Sequence, residues 1–136
     1  MQLPTVKGSN LLRQKMVFPN DFAGDINLVF IAFLRGHQDL IDEWVPFVEE
    51  LAKEHPELHF YEFPTLSRRG PIYRKFLNEG MRAGIPNKAT RARTITLYLD
   101  KRAFRKALDI ENEQNIGVYL FDKSGKVLWR TAGRFS

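Results

Sequence analysis

The feature that most constrains this chain is a nine-residue apolar run that leads into an amphipathic helix. Residues 26–34 read INLVFIAFL, rich in β-branched and aromatic side chains, with Asn27 as the one polar residue. Such a run is typical of a strand covered on both faces within a parallel or mixed sheet. From Leu40 to Leu51 the apolar residues recur at helical spacing. The sequence therefore predicts an α/β domain with this strand at its centre, and ligand-binding residues are expected between Arg35 and Ile41, where the strand gives way to the helix.

Composition limits both the size of the fold and its chemistry. With 136 residues, the chain is expected to form one domain that buries roughly two-thirds of its unfolded surface. It contains no cysteine, which excludes disulfides, thiolate metal sites and cysteine catalysis in any compartment. Residues 1–7 lack an apolar signal core, and the longest apolar run is about half a membrane span. We expect a soluble, cytoplasmic protein, with a position peripheral to the membrane as the alternative.

The remaining segments alternate between strand and helix patterns. Residues 1–14 are predicted to form an extended arm, since Pro4, Gly8 and Asn10 discourage a long helix, and residues 15–136 to form the domain. Pro46 lies inside the first predicted helix and should kink it, and both tryptophans are interpreted as core residues. The other predicted elements are strands at 16–18, 58–63 (ending at Pro64), 94–99, 117–121 and 126–131, helices at 72–81 and 101–108, and a basic loop at 87–92.

This order, closed by a hairpin, resembles the thioredoxin superfamily in its peroxiredoxin-like and TlpA-like forms. The strand followed by a helix containing Pro46 is similar to the redox helix of that superfamily. Residues 94–110 resemble the segment before its last hairpin, and residues 117–133 (GVYLFDKSGKVLWRTAG) resemble the hairpin itself. The resemblance implies a thioredoxin-like fold: a central mixed sheet flanked by helices, with a C-terminal β-hairpin at one edge region.

The resemblance also shows which redox residues are missing. Counting back from Pro46, the two cysteines of a thioredoxin-like CxxC pair would fall at Gln38 and Ile41, and a peroxidatic cysteine near Ile41. Neither side chain can form a thiolate. The cis-proline that faces the pair would fall at Ile116, and a cis bond before a non-proline residue costs about 2.5–4 kcal/mol. The sequence therefore predicts no thiol oxidoreductase activity.

A different chemistry could still use this cleft, which comprises Arg35, His37, Gln38, Ile41 and Ile116. Free backbone donors at a helix start favour anions, and His37 could act as a base near neutral pH. Ordinary helix capping explains the same polar residues, and no nucleophile is identifiable. We predict no catalytic residue, no metal and no cofactor. The alternative is a redox-inactive peroxiredoxin-like enzyme, or a small-molecule or anion sensor that uses Arg35–Asp39.

A narrower resemblance concerns cysteine-less members of the superfamily. Residues 18–24 (FPNDFAG), residues 28–33 followed by Trp44, and residues 125–133 resemble the assembly factor of the mitochondrial F-type ATP synthase. That family acts by contact, as a chaperone for a membrane subunit, without a cofactor. The resemblance implies a non-catalytic assembly or protein-interaction factor and, because no transit peptide is evident, a prokaryotic relative.

The net charge of +5 is unevenly distributed. Residues 37–63 carry eight acids against one base (−7), and residues 68–106 carry twelve bases against two acids (+10). Two solvated faces explain this pattern, and so does a basic surface for a protein client, a membrane-complex subunit or an anionic bilayer. A nucleic-acid partner is not expected, because the basic stretch lacks interleaved aromatic residues. The predicted basic patch consists of Arg68, Arg69, Arg74, Lys75, Arg82, Lys88, Arg91 and Arg93, separated from the acidic helix by the sheet.

Overall fold

A computed structural model describes residues 1–34, 36–67 and 87–135 of the chain. In these residues seven strands form one mixed sheet in the order β2-β1-β5-β4-β3-β6-β7. Strands β3, β4 and β5 are parallel, and the other pairings are antiparallel. The elements are β1 (Val6–Asn10), β2 (Lys15–Phe18), β3 (Ile26–Ala32), α1 (His37–Glu54), β4 (Leu58–Leu66), α2 (Lys88–Arg93), β5 (Ile95–Tyr98), α3 (Lys101–Ala107), β6 (Gly117–Asp122) and β7 (Val127–Ala132).

The predicted central strand is confirmed. β3 lies inside the sheet, parallel to β4 on one side and antiparallel to β6 on the other. It ends at Ala32, two residues before the apolar run does. Its polar residue, Asn27, is fully buried and holds the preceding turn: the Gly24 N–H donates to Asn27 Oδ1 at 3.0 Å, and Asn27 Nδ2 donates to the Gly24 carbonyl at 2.8 Å. One buried amide thus satisfies both backbone groups of Gly24.

Two apolar clusters cover the two faces of the sheet. On one face α1 contributes Ile41, Trp44 and Val48, which pack with side chains of β3 and β6. On the other face α3 and the turn after it contribute Phe104 and Leu108 to a larger cluster. Each fully buried aliphatic or aromatic side chain contributes roughly 1.5–3 kcal/mol of hydrophobic free energy. Because β3 has buried residues in both clusters, both of its faces are apolar, as its sequence indicates.

Residues 1–14 do not form an arm outside the domain. Strand β1 pairs with β2 and with β5, and Leu3, Val6 and Leu11 are buried. The glycine that discourages a helix here also permits the pairing: a Cβ at Gly8 would lie 2.5 Å from the Thr96 carbonyl oxygen of β5. The expected boundary at residue 15 is therefore corrected, and this segment belongs to the sheet.

Two further predictions about local structure are wrong. Strand β4 runs through Pro64 to Leu66. The proline is tolerated because it is the last residue paired with β3, and on the β5 side it falls just before the ladder that starts at Thr65. The expected basic loop at 87–92 is largely helical: α2 begins after Asn87, whose side chain accepts from the Thr90 N–H at 3.1 Å.

The other predicted elements agree with the structure where it describes them. Pro46 lies inside α1, Asp100 caps α3, and β6 and β7 form the C-terminal hairpin. The helix expected at 72–81 lies outside the described residues. Trp44 is buried as predicted, whereas Trp129 is 48% exposed, so its interpretation as a core residue is wrong. No helix in the described part of the chain is long and apolar enough to cross a membrane.

Candidate functional site

His37, the first residue of α1, connects two loops inside the protein. Its side chain is 3% exposed. Nδ1 accepts from the backbone N–H groups of Phe33 at 3.0 Å and Leu34 at 3.3 Å, and Nε2 lies 3.1 Å from the Gln114 carbonyl oxygen. Because Nδ1 is an acceptor, the ring proton is assigned to Nε2, which donates to that oxygen. Both nitrogens are engaged, so the hypothesis that His37 acts as a base in the cleft is replaced by a structural role.

Of the two positions that the resemblance assigns to cysteines, Ile41 packs in one apolar cluster with Ile116. Ile41 is 1% exposed and Ile116 is fully buried, and both belong to the cluster beneath α1. Gln38 is half-buried, and its Nε2 donates to Asp42 Oδ1 at 2.9 Å and to Glu62 Oε1 at 3.2 Å. Neither Ile41 nor Ile116 carries a reactive group, so this pair contributes packing and no chemistry.

The peptide bond before Ile116, where the resemblance places the cis-proline, also differs from that of the superfamily. Among the described residues, the cis peptide bond is that of Phe18–Pro19, so Ile116 follows Asn115 through a trans bond. The carbonyl oxygen of Ile116 accepts from the Gly133 N–H at 3.0 Å, which extends the β6–β7 hairpin by one pair. Of the predicted cleft residues, Arg35 lies outside the described part of the chain, and the other four are engaged in packing or hydrogen bonds.

Glu62 is the site residue that sequence reasoning missed. It is 2% exposed, and burial raises the pKa of its carboxyl, while the hydrogen bond from Gln38 and the nearby Arg93 guanidinium partly offset that rise. Glu62 lies inside the sheet, where it pairs with Phe30 of β3 on one side and forms a bridge with Thr94 on the other. A carboxyl beside an amide and a guanidinium provides hydrogen-bonding groups, and no thiol or imidazole accompanies them among these contacts. The described residues also contain no group of three His, Asp or Glu side chains that could hold a metal ion.

The predicted basic patch is described at three of its eight positions. Lys88 is exposed, whereas Arg91 and Arg93 are half-buried. The Arg93 guanidinium lies 4.2 Å from the centroid of the Phe60 ring and close enough to Glu62 to affect its pKa. Arg93 of the predicted basic patch therefore lies beside Glu62 of the acidic residues 37–63, against the expectation that the sheet keeps these opposite charges apart. Arg68, Arg69, Arg74, Lys75 and Arg82 lie outside the described residues.

The segment after β7 folds back onto α1. Gly133 turns with a φ of +88°, which favours glycine, and its carbonyl accepts from Trp44 Nε1 at 3.0 Å. Arg134 then pairs with Glu43 at 3.0 Å, and the Phe135 ring packs on Trp44 and on Phe47, with centroids 5.1 and 5.0 Å apart. Residues 133–135 have no periodic pattern, so nothing in the sequence indicates this contact.

Comparison with known proteins finds likeness in structure alone. No family model matches the chain, and no curated protein matches its sequence. The thioredoxin domain of a thiol-disulfide oxidoreductase from Bacteroides vulgatus is 17% identical, with a TM-score of 0.58 over 96% of this chain and 85% of that one. The exposed lipoprotein thioredoxin of Streptococcus pneumoniae is 12% identical, with a TM-score of 0.60 over 98% and 92%.

A third solved structure supports the same fold. A putative electron transfer protein from Aquifex aeolicus is 7% identical, with a TM-score of 0.65 over 98% of this chain and 83% of that one. At such identities the likeness concerns the fold and not the activity. The chain has a thioredoxin-like fold, as its sequence predicted, and with no cysteine it has no thiol with which to perform thiol-disulfide exchange.

Proposed function

We propose that this chain is a non-catalytic, thioredoxin-like contact protein that assists the assembly of a membrane complex, with an F-type ATP synthase as the candidate client. The observation that carries the proposal is the filled redox site. Gln38 and Ile41 stand where the resemblance places the two cysteines, and Ile41 packs in one apolar cluster with Ile116. A thioredoxin-like scaffold that has this helix but carries no reactive group there can still bind other molecules.

The residues that resemble the ATP synthase assembly factor contribute to this proposal unequally. Phe18 and Phe22 are buried, and their rings pack on each other and on Tyr61 at centroid distances of 5.0–5.5 Å. They support a shared core more than a shared partner. Trp129 also belongs to the resemblance, and it is 48% exposed. An exposed tryptophan has no role in the core, so it is the better support for a shared contact surface.

The alternative of an anion sensor or enzyme at Arg35–Asp39 receives no comparable support. Free backbone donors and a free imidazole were its basis. In the structure, His37 Nδ1 accepts hydrogen bonds from the backbone N–H groups of Phe33 and Leu34, and Nε2 donates to the Gln114 carbonyl. The side chain that made the cleft attractive for chemistry therefore contributes to the fold.

The direct experiment is deletion of the gene in its source organism. Assembled ATP synthase is then quantified on native gels of solubilised membranes, together with membrane-bound ATPase activity. We expect both quantities to fall and free catalytic sector to accumulate, and a plasmid copy of the wild-type chain to restore them. Unchanged assembly and activity in the deletion strain would refute the ATP synthase as client.

We further propose that the predicted basic patch holds the protein at the membrane or on its client. Each base near an anionic bilayer contributes on the order of 1 kcal/mol, and exposed charges act only within about 10 Å at 0.1 M salt. Arg93 is left out of the test because it packs on Phe60. The test variant changes Arg74, Lys75, Arg82 and Lys88 to Gln, and its matched control changes the exposed Lys7, Lys15, Lys106 and Lys123 to Gln.

Both variants remove the same charge, so only position distinguishes them. In co-sedimentation with phosphatidylserine-containing vesicles at low salt, we expect the test variant to lose binding and the control to keep most of it. Equal binding by the two folded variants would show that the predicted basic patch is a solvated face and that net charge alone determines the result.

A further inference from the structure

The outer edge of β7 offers backbone groups for pairing. β7 is the last strand in the sheet order, and Leu128 and Trp129 on it are 49% and 48% exposed. The Gly133 N–H bonds inward to Ile116, and inward and outward residues alternate along an antiparallel strand. The backbone N–H and C=O groups of Arg130 and Ala132, which pair in register with Tyr119 and Gly117, therefore point away from the sheet.

The chain itself already adds a short strand to this edge. The Val127 N–H donates to the Met1 carbonyl at 3.0 Å, and the Leu3 N–H donates to the Gly125 carbonyl at 2.8 Å. Gln2 and Lys126 form an antiparallel bridge between these two bonds. The edge thus accepts an extended segment in antiparallel orientation. The added strand stops level with Val127, and in the described part of the chain nothing pairs with the edge beyond it.

A cavity of about 310 Å³ borders the uncovered part of the edge. It lies between the loop after α3 and the β6–β7 hairpin, on the face that carries the side chains of Arg130 and Ala132. Arg130 donates to Asp109 Oδ2 at 3.0 Å, so this guanidinium is neutralised within the cavity wall. Glu111 adds a second carboxylate, and two amides provide acceptors as well as donors. The polar lining consists mainly of Asp109, Glu111, Asn112, Asn115 and Arg130.

We propose that residues 129–132 of β7 receive an extended segment of a partner protein as an additional strand. Its backbone pairs with Arg130 and Ala132. Its side chains alternate between the two faces, so one set packs over the exposed indole of Trp129 and the other reaches the cavity. Among the lining residues two carboxylates stand against one guanidinium, and the neighbouring Arg105 is already paired with Glu113, so the lining suits a lysine or arginine of the partner. The occupant is thus a segment that alternates apolar and basic residues.

A second copy of this chain fits the edge less well. Its own β7 offers Arg130 as the one basic side chain, and that residue is already bonded to Asp109 of the same copy. This proposal names the surface through which the proposed contact protein binds its partner. It rests on the proposed function in one respect, that the occupant is another protein. The peptide assay below uses purified protein, so its failure and the failure of the gene-deletion assay are distinguishable.

The probe is the peptide acetyl-Val-Lys-Val-Lys-Val-amide, titrated into isotope-labelled full-length protein and followed by NMR. We expect saturable shifts at the amides of Arg130 and Ala132, slower hydrogen exchange at both, and weaker binding when the lysines are replaced by glutamates. A peptide N-methylated on its edge-facing amides should not bind. Absence of saturable shifts at these amides, or equal binding of the N-methylated peptide, would overturn the proposal.

A matched pair of variants tests the backbone pairing from the protein side. Ala132→Pro removes an outward N–H and leaves the inward bonds of the hairpin intact, whereas Ala132→Ser keeps the N–H. We expect Ala132→Pro to weaken peptide binding about three- to tenfold relative to Ala132→Ser, the effect of one hydrogen bond. Equal affinities would overturn the proposal. Protection of the Arg130 and Ala132 amides without peptide, together with a dimer in sedimentation, would show that a second copy is the occupant instead.

Discussion

Substitution of His37 tests how the N-terminal end of α1 is held. Replacing it with alanine removes the acceptor of two N–H groups and the donor to one carbonyl. The Phe33 N–H is buried, and leaving it unpaired costs about 1–3 kcal/mol. The Leu34 N–H and the Gln114 carbonyl lie near solvent, so water can replace the imidazole and each loss costs about 0.5–1 kcal/mol.

A cavity the size of most of an imidazole adds to these losses, so we expect His37→Ala to lower the free energy of unfolding by about 3–5 kcal/mol. A small domain has about 5–15 kcal/mol in total. The matched variant is His37→Asn, whose Oδ1 can take the place of Nδ1 and accept from Phe33 and Leu34. It loses the bond to Gln114 and should cost about 1–2 kcal/mol.

Urea denaturation followed by far-UV circular dichroism measures both variants, provided the slope of the transition is unchanged. The alanine variant should unfold at a lower urea concentration than the asparagine variant. If the two variants agree within about 0.5 kcal/mol, or if alanine costs less than about 1 kcal/mol, then the Nδ1 bonds do not hold this turn and the structural role assigned to His37 is wrong.

Three further predictions concern the same region. Because burial raises the pKa of Glu62, the folded state holds this proton more tightly than the unfolded state. Wild-type stability should therefore fall as the pH rises above the ordinary value of 4.5, and Glu62→Gln should be increasingly stable relative to wild type at higher pH; a pH-independent difference in urea unfolding would contradict this. Gln38→Cys with Ile41→Cys should not reduce insulin efficiently without Ile116→Pro, because the resemblance places the cis-proline that faces the pair at residue 116; efficient turnover by the double variant would contradict this. Trp44→Phe removes the donor to the C-terminal segment and should cost about 1 kcal/mol, with increased proteolysis after β7; unchanged cleavage would contradict it.

The sequence predicted those parts of the fold that depend on local pattern. β3 and the final hairpin are apolar and rich in β-branched residues, so their periodicity alone indicates strands. β1 has the sequence VKGSN, which has no such pattern. It is a strand because β2 and β5 pair with it on both sides and Gly8 permits close approach. Short α2 has no buried residue and depends on the Asn87 cap, so a window of hydrophobic periodicity does not detect it.

The candidate site was predictable in position more than in chemistry. The spacing from Pro46 assigns Gln38 and Ile41 to the cysteine positions, and of the residues assigned to the site Ile41 and Ile116 share one apolar cluster. The sequence pattern of a lone histidine at a helix start, however, is the same whether the side chain is exposed or hydrogen-bonded through both ring nitrogens. The burial of Glu62 depends on its neighbours Phe30 and Thr94 on the two sides of β4, and the exposure of Trp129 depends on β7 being the last strand. These properties arise from the assembly of the sheet and not from local sequence.

Co-purification from the source organism under native conditions tests the proposed assembly function. The chain, carrying an affinity tag and expressed at its normal level, is isolated from gently solubilised membranes, and the bound proteins are quantified by mass spectrometry. We expect an approximately equimolar complex with a membrane subunit of the ATP synthase that is not yet assembled, and little fully assembled enzyme. A Trp129→Ser variant should lose this subunit, and a Lys123→Gln variant should keep it. Recovery of the chain free of any membrane-complex subunit would contradict the account.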